Sequence, residues 1–168
     1  GVVLLQSEVY INNFHGIFGI YEIPYLAGSL VTIFVFVVIV NSLNLIDGID
    51  GLAALLCIKF FIVIGAILSV SSREMELVVP SVVGALIGFL LYNMNPYKKV
   101  FLGDTGSLSA GAAIGAISVI TKNELILLVA GGLFVLEAVS VIVQVVSFKL
   151  TGKRVFRMAP LHHHFEQK

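Results

Sequence analysis

The sequence predicts an all-α membrane protein, a polytopic bundle of about five transmembrane helices. Hydrophobic residues make up 58% of the chain and charged residues only 12%, whereas about a quarter of a soluble domain is charged. The mean hydropathy is +1.06. The apolar runs are continuous and do not alternate with polar residues, which favours helices over the strands of a membrane barrel.

Five apolar segments are predicted as spanning helices. Most are close to the roughly 20 residues that a helix needs to cross the hydrocarbon core. They cover residues 26–43, 52–70, 78–92, 106–121 and 125–147. Two of them carry small residues four apart, a pattern that lets helix backbones approach closely. These are Gly84 with Gly88, and Ser107 with Gly111 and Gly115.

The two ends of the chain are less hydrophobic than the bundle between them. Residues 1–25 contain two β-prone runs around a polar turn, and we predict that they form a short extracytoplasmic hairpin or loop. We expect a single membrane domain over residues 1–168, with the helix bundle at 26–147 and a cytoplasmic loop that carries three histidines at 148–168. No basic leader precedes the first apolar run, so no signal peptide is expected.

The basic residues predict how the bundle is oriented. Five spans place the loops at 41–51 and 93–105 on the same side as the tail after residue 147. That side is richer in lysine and arginine, so the positive-inside rule makes it cytoplasmic. Six candidate functional residues then share this cytoplasmic face: Asp47, Asp50, Asp104, His162, His163 and His164. The net charge of zero gives no electrostatic case for binding nucleic acid.

Two polar loops suggest a chemistry. Residues 41–51 contain two carboxylates and two amides, and Asp104 stands where a helix is predicted to begin. Turn formation and helix capping explain the glycines and one carboxylate, but not the whole set. Carboxylates are hard ligands that suit Mg²⁺, which completes its coordination with water and substrate phosphate. The loops therefore predict phosphoryl transfer, while the histidines leave zinc as an alternative.

Three motifs resemble signatures of the polyprenyl-phosphate N-acetylhexosamine-1-phosphate transferases. They lie at residues 44–51, 100–107 and 157–166. From about residue 84 onward, the chain is most similar to the branch that transfers phospho-N-acetylmuramoyl-pentapeptide. Residues 11–24 instead resemble the branch that transfers GlcNAc-1-phosphate. The family carries an earlier Asp-Asp motif and about ten spans, so the resemblance covers its C-terminal half.

The resemblance implies a Mg²⁺-dependent enzyme of the bacterial cytoplasmic membrane, with its active face in the cytoplasm. It would transfer phospho-MurNAc-pentapeptide from UDP-MurNAc-pentapeptide to undecaprenyl phosphate, giving lipid I and UMP. The implied catalytic residues are Asp47, Asp104 and His163, and the implied metal ligands are Asp104 and Asp47. The implied substrate-binding residues are Asn41, Asn44, Gly48, Ile49, Asp50, Asn93, Phe101, His162 and His164. Membrane lipid and a second copy of the chain are further candidate partners.

Three alternatives stay open at this point. The first is the sibling enzyme that transfers GlcNAc-1-phosphate to undecaprenyl phosphate. The second is a transporter or channel, which predicts ionisable residues along the spans, where Lys59 and Glu137 lie. The third is an inactive half-protein that needs a partner fragment.

Overall fold

Five α-helices form the described part of the chain, and they confirm the all-α prediction. The computed structural model describes residues 5–6, 9–14, 16, 19, 21–68, 75–97, 99–122 and 131–161. In chain order the helices are α1 (Tyr25–Ile46), α2 (Leu52–Leu68), α3 (Met75–Asn93), α4 (Gly103–Ile120) and α5 (Gly132–Thr151). By length and composition, α1 and α5 are able to cross a membrane; α2 and the stretch Leu77–Asn93 of α3 are apolar but shorter.

The helix ends follow local sequence signals at several points. Pro24 immediately precedes α1, where its fixed φ angle is compatible with helix entry. Gly51 has a φ of +77° just before α2, a conformation that favours glycine. Helix α5 runs four residues past the predicted boundary at 147, to Thr151. The next residue is Gly152, whose φ is +69°. Such a left-handed glycine is a common helix stop.

Helix α1 packs against both α4 and α5, and its contact with α4 is the most extensive in the bundle. Small residues on α4 make this possible. A Cβ added at Gly111 would lie 2.9 Å from the Cα of Val40, and one at Gly115 would lie 3.1 Å from the ring of Phe36. The predicted close approach is therefore confirmed for this stripe. At Gly84, on α3, an added Cβ would meet no described atom within 4 Å.

The core lies among α1, α2, α3 and α4. Its fully buried side chains include Leu43, Ile46, Phe60, Phe61, Ile64 and Ile114. The rings of Phe60 and Phe61, which are neighbours on α2, meet edge to face with centroids 5.7 Å apart. Large apolar side chains also cover the outer faces of α1, α3 and α5, including Leu30, Phe34, Leu77, Leu91, Leu136 and Leu150. An apolar exterior over an apolar core is the pattern of a bundle that lies in lipid.

The described part of the N-terminal segment forms the predicted hairpin. Asn13 and Glu22 make an antiparallel bridge, and Ile23 N–H donates to the carbonyl of Asn12 at 3.0 Å. Lys122, at the end of α4, donates through Nζ to the carbonyl of Tyr10 at 2.8 Å. The hairpin and the turn after α4 therefore share one end of the bundle, as the loop order predicts.

Candidate active site

The end of α1 and the start of α4 meet through three polar side chains. Asn44 Nδ2 donates to Asp104 Oδ1 at 2.9 Å and to Ser107 Oγ at 3.0 Å. Ser107 is fully buried, and its hydroxyl donates to the carbonyl of Gly103 at 2.8 Å. Asn44 therefore fixes Asp104 against the first turns of α4. This bond uses one carboxylate oxygen and leaves Asp104, which is exposed, with capacity for another ligand.

Asp47, directly after α1, reaches the same helix start. Its Oδ2 accepts a hydrogen bond from the backbone N–H of Gly103 at 2.9 Å. Helix α4 has no cap from the side chain of its own N-cap residue, Leu102, so Asp47 satisfies one of the free N–H groups at this end. A carboxylate is also favoured at the positive end of the helix dipole.

The surroundings of Asp47 disfavour its ionised form. Burial raises the pKa of Asp47, and repulsion from Asp104 adds to the rise, while hydrogen bonds from the backbone of Gly103 and Leu102 oppose it. The repulsion shows that the two carboxylates are close enough to interact. A cation bound between them would relieve it.

Asn93, at the end of α3, joins the two loops that carry the carboxylates. Its Oδ1 accepts a hydrogen bond from Gly51 N–H in the first loop, and its Nδ2 donates to the carbonyl of Val100 in the second at 2.7 Å. The side chain is only 2% exposed. Both ends of the amide thus bond to the scaffold, and Asn93 positions the two loops relative to each other.

An ion pair forms a second link between the loops. Lys99 Nζ donates to Asp50 Oδ2, with side chains that are 46% and 35% exposed. Because exposed pairs of this kind contribute little stability, the link orients both groups more than it stabilises the fold. Gly48 is exposed and Ile49 half-buried on the first loop, and Phe101 is exposed on the second.

The pair of carboxylates suits a divalent cation that also binds phosphate. Within the described residues, no group of three or more histidine, cysteine, aspartate or glutamate side chains could hold a metal ion. Mg²⁺ is usually held by one or two carboxylates, with waters and substrate phosphates as its other ligands. Asp47 and Asp104 fit this donor set.

Sequence comparison identifies the family. Residues 1–122 match the family described as glycosyl transferase family 4. The chain belongs to this family. This result agrees with the resemblance of its motifs to phosphosugar transferases.

Several curated relatives of this family 4 member carry the name phospho-N-acetylmuramoyl-pentapeptide-transferase. The relative from Pelagibacter ubique is 50% identical over 153 residues, which is 82% of this chain and 42% of the relative. The one from Desulforamulus reducens is 55% identical over 137 residues, 80% of this chain and 40% of the relative. The one from Moorella thermoacetica is 46% identical over 160 residues, 95% of this chain and 48% of the relative. The chain thus spans less than half the length of these relatives.

Of the twelve predicted site residues of this family 4 member, the structure gathers five and places Gly48, Ile49 and Phe101 on the same two loops. It brings together Asn44, Asp47, Asp50, Asn93 and Asp104. Asn41 lies apart from them: its amide donates to the carbonyl of Val37 one turn back at 2.7 Å, and its side chain faces a groove between α1 and α5. The predicted His162, His163 and His164 lie outside the described residues.

Two residues that hold the site together are absent from the predicted set. Ser107 was predicted only as a small packing residue, and Lys99 was only one of the basic residues counted to orient the bundle. Ser107 lies beside Asp104, and Lys99 lies opposite Asp50. Both positions depend on how the loops fold. The available signal for Lys99 was its positive charge in the loop that faces Asp50. For Ser107, the sequence offers no signal beyond its place in the 100–107 motif.

Proposed function

We propose that the chain contributes to a membrane enzyme that transfers phospho-MurNAc-pentapeptide from UDP-MurNAc-pentapeptide to undecaprenyl phosphate, giving lipid I and UMP. The observation that carries this proposal is the meeting of Asp47 and Asp104 at one end of an apolar bundle, tied by Asn44 and Gly103. The name shared by the relatives supports this donor and reaction.

In the proposed reaction, a phosphate oxygen of the acceptor lipid attacks the β-phosphorus of the donor, and UMP leaves. Asp104 and Asp47 would hold Mg²⁺, which supplies positive charge against the phosphates. Asn44 keeps Asp104 in place through the bond to Oδ1. The N–H of Gly103 does the same for Asp47. Catalysis of this kind depends mainly on positioning and charge stabilisation.

The remaining predicted residues are proposed to bind the donor. Gly48, Ile49, Asp50 and Phe101 lie on the two loops beside the carboxylates, where a nucleotide would be within their reach. His163 is proposed to act on the donor phosphates with its two neighbouring histidines, as the family resemblance implies.

The proposed location is the bacterial cytoplasmic membrane, with the site facing the cytoplasm. Lys99 pairs with Asp50 in the first loop, and the segment after α5 adds several more basic residues. An excess of lysine and arginine is typical of cytoplasmic loops. The apolar exterior of the helices supports a multi-pass arrangement.

The test is a UMP-release assay in membranes that contain the chain together with the N-terminal half of the Moorella thermoacetica relative. With undecaprenyl phosphate and Mg²⁺ present, UDP-MurNAc-pentapeptide should be consumed and UDP-GlcNAc should not. Asp104→Asn should lower turnover by about 100-fold, the usual effect of removing one stabilising group at a reacting centre. Glu22→Gln is the matched control, because Glu22 is an exposed acid in the N-terminal hairpin.

Several outcomes would contradict the proposal. Turnover of Asp104→Asn within threefold of the unmodified chain would remove Asp104 from the site. Preference for UDP-GlcNAc would assign the chain to the sibling reaction. Cation flux through proteoliposomes without UMP release would favour a channel. Full activity after removal of divalent cations with EDTA would exclude the proposed role of Mg²⁺.

A further inference from the structure

Ser107 lies where the two carboxylates of the candidate active site are joined. It is fully buried, between the start of α4 and the last turn of α1. Its hydroxyl donates to the carbonyl of Gly103 at 2.8 Å and accepts from Asn44 Nδ2 at 3.0 Å. One small side chain thus contacts both of the helices that hold the acidic groups.

Each hydrogen bond of Ser107 leads to a different carboxylate. On one side, Asn44 Nδ2 also donates to Asp104 Oδ1 at 2.9 Å. On the other side, Gly103 donates its own N–H to Asp47 Oδ2 at 2.9 Å. Because both paths run through short groups, a change in the position of the Ser107 hydroxyl is passed to both acids.

The hydroxyl also selects the orientation of the Asn44 amide. Its single proton is directed at Gly103, so towards Asn44 it can only accept, and the carboxylate of Asp104 in its ionised form can likewise only accept. The NH2 group of Asn44 must then face both acceptors, since the amide oxygen would be repelled by them. With the serine in place, both amide protons have fixed acceptors, and Asp104 Oδ1 is held in one direction.

Local packing alone does not explain this arrangement. A bond from a serine to the carbonyl four residues earlier is common in helices, and buried Ser118 on the same helix makes one to Ile114 at 2.9 Å. Ser107 differs because it also accepts a bond from another helix, at the level of the acids. Close approach of α1 requires only a small residue, and glycine provides it at Gly111 and Gly115.

We propose that Ser107 is a positioning residue for the divalent cation of the proposed reaction, and that its hydroxyl fixes the placement of Asp104 and Asp47 without contacting the cation. The inference rests on the proposed function. Mg²⁺ demands near-ideal geometry from few protein ligands, so its binding depends on how those ligands are held. Removing a group that hydrogen-bonds to a metal ligand typically weakens metal binding by about 10–100-fold. Ser107 acts one bond further out, so the lower end of that range is expected.

Mn²⁺ binding to the detergent-purified chain, without donor or acceptor lipid, tests the inference. Mn²⁺ shares the preference of Mg²⁺ for carboxylate and water oxygens, and the EPR signal of free Mn²⁺ measures the bound fraction. Ser107→Ala should raise the Kd for Mn²⁺ by about tenfold.

Ser118→Ala is the matched control, because it removes a buried serine and the same backward bond from α4. It lies about 16 Å further along the helix, at roughly 1.5 Å per residue, so its Kd should stay within about twofold of the unmodified chain.

Two further variants separate positioning from a loss of stability. Ser107→Cys fills nearly the same space but offers only a weak donor and a weak acceptor. It should also raise the Kd for Mn²⁺, while its Tm stays near that of the Ser118 control. Combining Asn44→Ala with Ser107→Ala should weaken Mn²⁺ binding by less than the product of the two single losses, because both residues act on Asp104.

Three results would overturn the inference. An unchanged Kd in Ser107→Ala, while Asp104→Asn binds Mn²⁺ weakly, would remove the role of Ser107 and leave the proposed function standing. An equal loss in Ser118→Ala would show a general effect of removing a buried serine from α4. Absence of Mn²⁺ binding by the unmodified chain would remove the cation site itself, and with it both this inference and the proposed role of the two carboxylates.

Discussion

Replacing Asn93 by alanine should destabilise the protein, because its amide makes two hydrogen bonds that join different loops. The change leaves the N–H of Gly51, in a buried position, without its partner, which costs about 1–3 kcal/mol. It also removes the bond to the carbonyl of Val100. That bond is worth about 0.5–1.5 kcal/mol, because water can replace it at a half-exposed site. Together the loss is about 1.5–4.5 kcal/mol.

Thermal unfolding in detergent is the assay for this change. For a chain of this size, about 1.5–4.5 kcal/mol corresponds to a fall in Tm of about 3–18 °C. Asn41→Ala is the matched control, because Asn41 is exposed and bonds only to a carbonyl of its own helix; its Tm should change by less than about 2 °C. If Asn93→Ala melts within 2 °C of the unmodified chain, the two loops are not held by this amide.

Three further predictions concern other contacts. Gly111→Ala should lower stability by about 1–3 kcal/mol through overpacking against Val40, whereas Gly84→Ala should be neutral or stabilising by up to about 1 kcal/mol; urea titrations compare them. Gln144→Ala should speed tryptic cleavage of the segment after α5, because the three hydrogen bonds of Gln144 to Val155 and Phe156 are lost. An unchanged digestion pattern would contradict the packing of this segment against α5. Because the folded carboxyl of Asp47 has a pKa above its ordinary 3.8, stability from this group falls as pH rises through that raised pKa. Without divalent cations, Asp47→Asn should therefore melt no lower than the unmodified chain at pH 7, and a lower Tm would refute this.

The helices, and the set of loops that lie together at one end of the bundle, could be predicted because they depend on local patterns. Continuous apolar runs predict helices, and counting them predicts which loops meet. The bonds of Asp47 to Gly103 and of Asn44 to Asp104 bear out the prediction that the two loops share one end. The same count places Lys122 beside the N-terminal hairpin, as the structure shows.

Other features depend on contacts that are distant in sequence. Helix α4 begins at Gly103, one residue before the predicted start at Asp104 and ahead of the apolar run that begins at 106. The first N–H of the helix bonds to Asp47 from another loop. The stripes at Gly84 and Gly111 have the same spacing, yet among the described residues only the second meets a neighbouring helix. Sequence spacing predicts that a helix can be approached closely but not which helix is its neighbour. For α5 a local signal was available, since a glycine such as Gly152 commonly marks the end of a helix.

The attachment of both carboxylates to the same two helices limits how the protein can move. Asp104 is anchored to α1 through Asn44, and Asp47 is anchored to the first residue of α4. Since Gly111 and Gly115 hold these two helices in close contact, we expect their acidic groups to move as one unit. Under the proposed function, an opening for the nucleotide sugar would then come from the surrounding loops or from α5, while the spacing of the acids stays constant.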